Sequence, residues 1–337
     1  MIAGKSRETA RAQFLALRGW GTAEVTPLAA DASFRRYFRV RRDRGRAVLM
    51  DAPPDKEPVK PFCAVAGRLR ELGFSAPRVL ARDDTNGFLL LEDFGDSTFT
   101  RLLAGGHDET ALYDLAVDVL TALHRIPDAQ VIADHSLPPY DMPRFLAEAD
   151  LLPDWYAPAM KIGLPRQTRV LYDHAWIKVL EPLVDGPRTL VLRDFHIDNL
   201  MLLPGRTGAA ACGLLDFQDA VAGPALYDLV SLLEDARRDI ADDLIARGRD
   251  RYLAAFPQAD RKAFDTAWAV LAAQRHAKVI GIFVRLCVRD GKSQYLTHIP
   301  RVWRLLARAL KHPALAPVAG WFEENLPPDE WGIPPCA

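Results

Sequence analysis

The sequence predicts an α+β fold of two lobes, a small antiparallel β lobe followed by a larger helical lobe. Short runs rich in aromatic and β-branched residues fill the first 95 positions, helical periodicity fills most of the remainder, and one island of brief strand-like runs interrupts the helices. At roughly 150 residues per domain, a chain of 337 residues also suggests about two domains. We therefore place the β-rich lobe at residues 1–95 and the helical lobe at residues 96–337.

The first lobe is predicted to hold an antiparallel sheet and one packed helix, after a short N-terminal helix. Strands are expected at Glu24–Leu28, Arg36–Arg41, Ala47–Asp51, Arg78–Ala81 and Gly87–Glu92. The run Asp43-Arg44-Gly45-Arg46 is a hairpin-turn signal between the second and third strands. A helix fits Val59–Leu72, because its apolar residues recur at helical spacing and Gly73 follows its last turn.

The second lobe is predicted to be mostly helical. Helices are expected at Glu109–His124, Met142–Leu151, Gln167–Leu183, Tyr227–Ala236, Ile240–Ala255, Ala263–Arg289 and Arg301–Lys311. The strand-like island comprises Thr189–Arg193, Asn199–Leu203 and Cys212–Phe217.

The bulk composition excludes several classes of function. With 43 Lys and Arg against 44 Asp and Glu, the formal charge is −1, so the chain has no global field to attract nucleic acid or an anionic membrane. No run of about 18 apolar residues predicts a membrane span, and the charged N-terminus is unlike a signal peptide. Its 4 cysteines are too sparse for a disulfide scaffold. We therefore expect a cytoplasmic protein.

The strand-like island carries three polar residues whose spacing suggests a site. Asp194 follows one strand, Asn199 opens the next, and Asp216 ends the strand after it. The turn signal Pro204–Gly208 lies midway between Asn199 and Asp216, so these two side chains should reach the same end of a hairpin. Their side-chain oxygens are suitable ligands for a hard cation such as Mg²⁺, which would also bind phosphate oxygens. Asp194 then remains available to orient a hydroxyl and accept its proton.

This arrangement resembles the catalytic loop and metal-binding Asp of protein-kinase-like enzymes, and it is most similar to the aminoglycoside phosphotransferase family. Within that family it looks closest to bacterial anomeric N-acetylmuramate/N-acetylglucosamine kinases of cell-wall recycling. The similar segments are Asp31–Tyr37, Met50–Pro54, Leu91–Gly95, Arg193–His196 with Asn199–Met201, Asp216–Ala220 and Gly223–Leu229. They follow the order that a protein-kinase-like fold requires.

The resemblance implies a role for each matching residue. Asp194 would be the catalytic Asp, with Asn199 and Asp216 as ligands of Mg²⁺. The main chain of Glu92, Asp93 and Phe94 would hold the adenine of ATP. The turn Asp31–Arg35 would cover the phosphates, with candidate contacts at Asp31, Ser33, Arg35 and Arg36.

The sequence departs from the family pattern at three places. Leu192 stands where a His usually precedes the catalytic Asp, and the turn Asp31–Phe34 contains no glycine. Met50 occupies the position of the Lys that pairs with the α/β-phosphates, and the only acid in the following helix, Glu71, lies at its end. That ion pair is either absent or replaced through an arginine. The arginines available for this are Arg35, Arg36 and Arg39.

The acceptor site is less defined by sequence. Asp154, Trp155 and Tyr156 lie in the helical lobe and offer a flat apolar face for a sugar, although core packing is the better explanation of these aromatics. His196 is near enough to Asp194 to contact substrate, but a structural role inside the loop is the simpler explanation.

These residues together favour an ATP-dependent kinase, and the resemblance implies that it phosphorylates the anomeric hydroxyl of N-acetylmuramate or N-acetylglucosamine in peptidoglycan recycling. One alternative is a phosphotransferase for an aminoglycoside or another small molecule. A second is a nucleotide-binding pseudokinase, which the missing Lys at Met50 suggests and the intact Asp194 opposes. The sequence leaves the oligomeric state open.

Overall fold

Strands occupy the first part of the chain and helices most of the rest in the computed structural model, which describes residues 2–28, 34–43, 45–127 and 137–335. The strands are β1 (Glu24–Pro27), β2 (Arg36–Arg42), β3 (Gly45–Asp51), β4 (Val79–Asp83), β5 (Phe88–Glu92), β6 (Thr189–Val191), β7 (Leu200–Leu202), β8 (Cys212–Leu214) and β9 (Val221–Gly223).

The helices follow the same chain order. They are α1 (Ile2–Leu17), α2 (Val59–Glu71), α3 (Phe99–Ala104), α4 (Glu109–His124), α5 (Met142–Ala149), α6 (Ala157–Ala159), α7 (Arg166–Val184), α8 (Leu226–Leu233), α9 (Asp242–Ala254), α10 (Arg261–Asp290), α11 (Ile299–Leu310) and α12 (Ala316–Asn325). A π-helical turn, Leu152–Tyr156, precedes α6.

The first of two compact units comprises Met1–Glu109 and Ile197–Asp219. Its antiparallel sheet has the strand order β1-β2-β3-β5-β4. Helix α1, longer than the sequence suggested, packs on this sheet through Phe14, whose ring lies 5.7 Å from that of Phe88. The buried aliphatic residues of β3 and β5 complete this core, which explains why the two strands read as nearly continuous apolar runs.

The β7–β8 hairpin belongs to this first unit rather than to the helices that surround it in sequence. Its two strands pair Leu200 with Leu214. Thr98 bridges to Met201 in β7, and Ser75 bridges to Gly213 in β8. Because short strands bury little surface alone, the hairpin is stable only when its apolar face packs against neighbouring elements.

The second unit comprises Thr110–His196 and Ala220–Ala337. The 30-residue helix α10 runs through its core and packs against α5, α8 and α11. A Cβ at Gly281 would lie 2.2 Å from the Leu151 carbonyl carbon, so the absent side chain permits close contact between helix and main chain. Although most of this helix is apolar, its buried face also carries Arg275, His276 and Lys278.

Several elements were not predicted from the sequence, namely α3, α6, α12, β9 and the π-helical turn. β9 pairs antiparallel with β6, which shows that the island holds one strand more than its sequence pattern indicated. Cys63 and Cys212 are free thiols, whereas Cys287 is disulfide-bonded. Within the described ranges, no helix has the length and apolarity needed to cross a bilayer.

Candidate active site

Asn199 and Asp216 lie at the same end of the β7–β8 hairpin, as their spacing around the turn predicted. Asn199 immediately precedes β7, and Asp216 follows β8 by two residues. The main-chain N–H of Leu215 donates to the Asn199 carbonyl over 2.9 Å, which extends the pairing to this end of the ribbon. The hairpin therefore brings an amide oxygen and a carboxylate to one edge.

The main chain at Asp216 adopts a left-handed conformation, with φ of +56°. Such a φ is uncommon outside glycine, although Asp tolerates it better than most residues. The Gln218 amide donates to Asp216 Oδ1 over 2.7 Å, which restricts the carboxylate to one orientation. Asp216 is thus held by both its backbone turn and a neighbouring side chain.

The donor set at this hairpin end fits Mg²⁺. No group of three or more His, Cys, Asp or Glu side chains that could hold a metal ion occurs in the part of the chain that the structure describes. Mg²⁺ in kinases does not need such a cage, because it takes one or two protein oxygens and completes its octahedron with phosphate oxygens and water. Asn199 and Asp216 offer that number of hard oxygen ligands.

Asp194 lies in the second unit, on a loop whose main chain is fixed by Asp228. The N–H groups of Leu192 and Arg193 both donate to the Asp228 carboxylate, over 2.6 and 2.8 Å. The His196 N–H donates to the Asp194 carbonyl over 3.1 Å. The main chain of Arg193 adopts a left-handed conformation, with φ of +70°. The two hydrogen bonds to Asp228 stabilise this strained turn.

Arg193 leads into a buried cluster of charged and phenolic groups, which we call the Glu148 cluster. Glu148 accepts hydrogen bonds from Arg193 and Tyr140, and Lys278 Nζ lies 3.1 Å from its Oε1. Lys278 also donates to the Tyr227 hydroxyl over 3.1 Å. One carboxylate thus pairs with two cations from separate segments, Arg193 on the loop and Lys278 on α10.

These cations set the ionisation state of Asp194. Burial alone raises the pKa of Asp194, but the electrostatic influence of Lys278, followed by that of His196, Arg193 and Arg275, outweighs it and holds the pKa below its ordinary value. Asp194 is therefore a carboxylate at neutral pH. A carboxylate can accept a hydrogen bond from a hydroxyl and, later, its proton.

The Glu148 cluster was missed from the sequence. Glu148 and Lys278 are 130 residues apart, and nothing local connects them. The available signal was that each charged residue shares a helix face with apolar residues, because a charge on a buried helix face needs a partner.

The end of β5 is organised by a buried cation, Arg39. Its guanidinium contacts the Asp93 carboxylate at 2.9 Å, the Asp96 carboxylate at 2.9 Å and the Gly95 carbonyl at 2.8 Å. Asp93 Oδ1 also accepts the Gly95 N–H over 2.8 Å. These acidic partners raise the pKa of Arg39 although burial opposes them. Arg39 is therefore already bound to protein groups, and it stabilises the conformation of this segment.

Glu92 and Phe94 flank Asp93 and have different environments. The Glu92 carboxylate accepts from Arg206 over 2.7 Å, and the Phe94 ring packs against Gly213 and under the Arg206 guanidinium. In the described part of the chain, nothing accepts a hydrogen bond from the Phe94 main-chain N–H. That N–H is available to a ligand.

Arg35 forms a buried ion pair with Glu57, which lies just before α2. The sequence left open which of three arginines replaces the missing Lys. Arg36 is exposed and Arg39 is bound to the segment after β5, whereas Arg35 is buried and pairs with a different acid. The sequence search failed here because it looked for an acid inside the helix, and Glu57 precedes it.

The remaining sequence-predicted residues fall in three places. Asp31 and Ser33 lie outside the described residues. Asp154 is exposed and pairs with Arg169 at 2.7 Å, and Trp155 is half-buried. Tyr156 is fully buried; its ring lies edge-on to Trp303 and its hydroxyl accepts the Gly332 N–H over 2.8 Å. This environment corresponds to core packing, which leaves Tyr156 no free face for a sugar.

The contact between Gly213 and Phe94 gives a testable prediction. A Cβ at Gly213 would lie 2.9 Å from Phe94 Cδ2, so Gly213→Ala is expected to displace the ring and raise KM for the nucleotide several-fold, with a stability loss of about 1–3 kcal/mol. Steady-state kinetics and urea unfolding measure both. The control is Gly67→Ala in α2, where a Cβ meets nothing within 4 Å and should stabilise the helix. An unchanged KM in Gly213→Ala would contradict the prediction.

Comparison with known proteins places the chain in a family. A model of the phosphotransferase enzyme family (APH) matches residues 24–265. The chain belongs to this family. It is 36% identical to the N-acetylmuramate/N-acetylglucosamine kinase of Caulobacter vibrioides, over 97% of this chain and 99% of that one. The kinase of the same name from Pseudomonas aeruginosa is 39% identical, over 88% of each chain. The predicted family and enzyme class, a phosphotransferase, are thus confirmed.

Solved structures confirm the protein-kinase-like fold. An aminoglycoside phosphotransferase in complex with GDP and kanamycin aligns with a TM-score of 0.60 at 15% identity, over 85% of this chain and 93% of that one. Choline kinase from Cryptosporidium parvum aligns with a TM-score of 0.56 at 11% identity, over 89% and 93% of the two chains. At such identities the likeness concerns the fold alone.

Proposed function

We propose that this phosphotransferase transfers the γ-phosphoryl group of ATP to the anomeric hydroxyl of N-acetylmuramate and N-acetylglucosamine. Phosphoryl transfer is supported chiefly by the hairpin end at which Asn199 and Asp216 present hard oxygen ligands. The choice of sugar is supported by relatives of that name at 36–39% identity over most of the chain. Such a kinase returns free cell-wall sugars to metabolism in peptidoglycan recycling.

Asp194 is the proposed catalytic residue. Its carboxylate hydrogen-bonds to the anomeric hydroxyl, aligns the oxygen with the γ-phosphorus, and accepts the proton as the O–P bond forms. The loop needs to be rigid for this, because small displacements of a reacting group cost large factors in rate. Asp228 and the Glu148 cluster supply that rigidity by holding the residues on either side of the loop's turn.

Asn199 and Asp216 are the proposed ligands of Mg²⁺. Mg²⁺, when bound, neutralises charge on the β- and γ-phosphate oxygens. The fixed orientation of Asp216, through Gln218 and its left-handed backbone, means that little reorganisation is needed when the nucleotide arrives.

ATP is the proposed phosphoryl donor. The free N–H of Phe94 would donate to the adenine, with the segment shaped by Arg39 and Asp93. Arg35 takes the role of the cation absent at Met50, with Glu57 orienting its guanidinium. A planar guanidinium can bind two phosphate oxygens at once, so it is chemically adequate for the task.

Removing Arg35 should therefore impair use of ATP. Arg35→Met is expected to lower kcat/KM for ATP by about 10–100-fold, and Glu57→Gln by less, because it leaves the cation in place. The control is Arg41→Met, which removes an exposed arginine from β2, the strand that follows Arg35, and should change kcat/KM less than about 2-fold. Equal kinetics for Arg35→Met and Arg41→Met would exclude Arg35 as a phosphate ligand.

The proposed location and partners follow from the reaction. ATP and recycled sugars meet in the cytoplasm, and the substrate is a small molecule, so neither a nucleic acid nor a membrane partner is required. The near-neutral formal charge of −1 is consistent with this.

Phosphorus NMR of the products tests the proposal directly. The protein is incubated with ATP, Mg²⁺ and either N-acetylmuramate, N-acetylglucosamine or kanamycin. A new sugar phosphate signal, coupled to the anomeric proton, is expected with the two amino sugars and not with kanamycin. Phosphorylation at another hydroxyl, or of kanamycin alone, would overturn the proposed function.

A further inference from the structure

Arg237 lies beside the loop that carries Asp194. Its Nη1 lies 3.4 Å from His196 Nε2, and His196 is two residues from Asp194. All three residues belong to the second unit. Arg237 therefore contacts the loop two residues away from Asp194.

Within the described ranges the Arg237 guanidinium has no acidic partner, which distinguishes it from three other arginines of this unit. Arg301 and Arg304 both pair with Asp239, at 2.8 and 3.2 Å, and Arg193 pairs with Glu148. Among the residues that the structure describes, none places a carboxylate within ion-pair distance of the Arg237 side chain. A half-buried arginine that lacks a protein carboxylate is suited to one supplied by a ligand.

Arg237 is also held in position before any ligand binds. Its main-chain N–H donates to Asp235 Oδ1 over 2.8 Å, and its guanidinium carbon lies 5.7 Å from the centre of the Phe283 ring. The preceding Glu234, at the end of α8, is anchored by Trp268 and His276 from α10. Contact with an aromatic face leaves the edge of a guanidinium open for hydrogen bonds.

We propose that Arg237 binds the lactyl carboxylate of N-acetylmuramate and so determines preference between the two sugars, an inference that rests on the proposed function. N-acetylmuramate differs from N-acetylglucosamine by this carboxylate-bearing ether, attached across one sugar ring from the anomeric hydroxyl. Arg237 is thus a specificity residue, and it leaves the phosphoryl transfer step to Asp194.

The test compares kcat/KM for three acceptors, N-acetylmuramate, its methyl ester and N-acetylglucosamine. Arg237→Gln is expected to lower kcat/KM for N-acetylmuramate by about 10–100-fold and for N-acetylglucosamine by less than about 3-fold. For the wild type, kcat/KM for the methyl ester should be lower than for N-acetylmuramate by a similar factor. For Arg237→Gln, the ester and N-acetylmuramate should give the same kcat/KM. Arg237→Lys should recover part of the lost kcat/KM for N-acetylmuramate, because Lys keeps the positive charge but cannot form the two parallel hydrogen bonds of a guanidinium.

The matched control is Arg304→Gln, which removes an exposed arginine already paired with Asp239 and should leave the ratio of the two sugars unchanged. Equal losses on both sugars in Arg237→Gln would overturn the inference, because Arg237 would then act on the loop through His196. A variant with unchanged kcat/KM for both sugars would overturn it as well. If the wild type phosphorylates neither sugar, the proposed function fails and this inference with it, so the two failures are distinguishable.

Discussion

Asp194→Asn is expected to lower kcat by about 10²–10⁴-fold, with KM for ATP changed less than about 3-fold. The amide keeps the size and most contacts of the side chain but cannot accept the proton from the sugar hydroxyl. Steady-state kinetics with saturating N-acetylglucosamine, together with phosphorus NMR of the product, measure the loss. The control is Asp118→Asn, which converts a carboxylate of α4 that pairs with Arg251 at 2.7 Å on the surface of the same unit.

The pH dependence of kcat is a second test of the catalytic role of Asp194. The cations around Asp194 lower its pKa below its ordinary value, so the reactive carboxylate persists as pH falls. We therefore expect no loss of kcat from Asp194 protonation above about pH 5. Lys278→Met removes one of those cations and should move the acidic limb of the kcat profile to higher pH. If Asp194→Asn retains full kcat, Asp194 is not the catalytic residue.

The local part of the candidate site could be predicted from sequence, because its geometry is set over short distances along the chain. Asn199 and Asp216 meet because a turn between them closes a hairpin, and register in a hairpin follows from turn position. The role of the main-chain segment Glu92–Phe94, by contrast, was implied by the family resemblance and remains a prediction.

The part that failed depends on pairs distant in sequence. Arg35 and Glu57 meet only because β2 and the segment before α2 converge in the folded unit, and no periodicity encodes that meeting. Tyr156 fits the sugar-binding pattern as well as it fits a core, and packing against Trp303 decided between them. Residue type restricts the possible roles, but tertiary contacts select among them.

Glu148→Gln should produce the largest loss of stability among the substitutions considered. Glu148 is buried and pairs with both Arg193 and Lys278, so a neutral amide removes the carboxylate that both cations contact. Breaking a buried pair in this way costs roughly 3–5 kcal/mol in the free energy of unfolding. Urea unfolding at neutral pH measures it, and Glu181→Gln, at an exposed position of α7, serves as the control with a change below about 0.5 kcal/mol.

A second substitution separates charge from shape in the Glu148 cluster. Burial raises the pKa of Glu148, but Lys278 and Arg193 outweigh it and lower the pKa overall, so the stabilisation is present above the ordinary pKa of Glu and is lost as pH falls through the lower folded value. Adding Lys278→Met to Glu148→Gln removes one of the two cations that contact Glu148 and should restore part of the lost stability. If the double variant is less stable than Glu148→Gln by the full cost of Lys278→Met alone, the two residues are not electrostatically coupled. Charge balance would then not be what holds Arg193, and with it the Asp194 loop, in place.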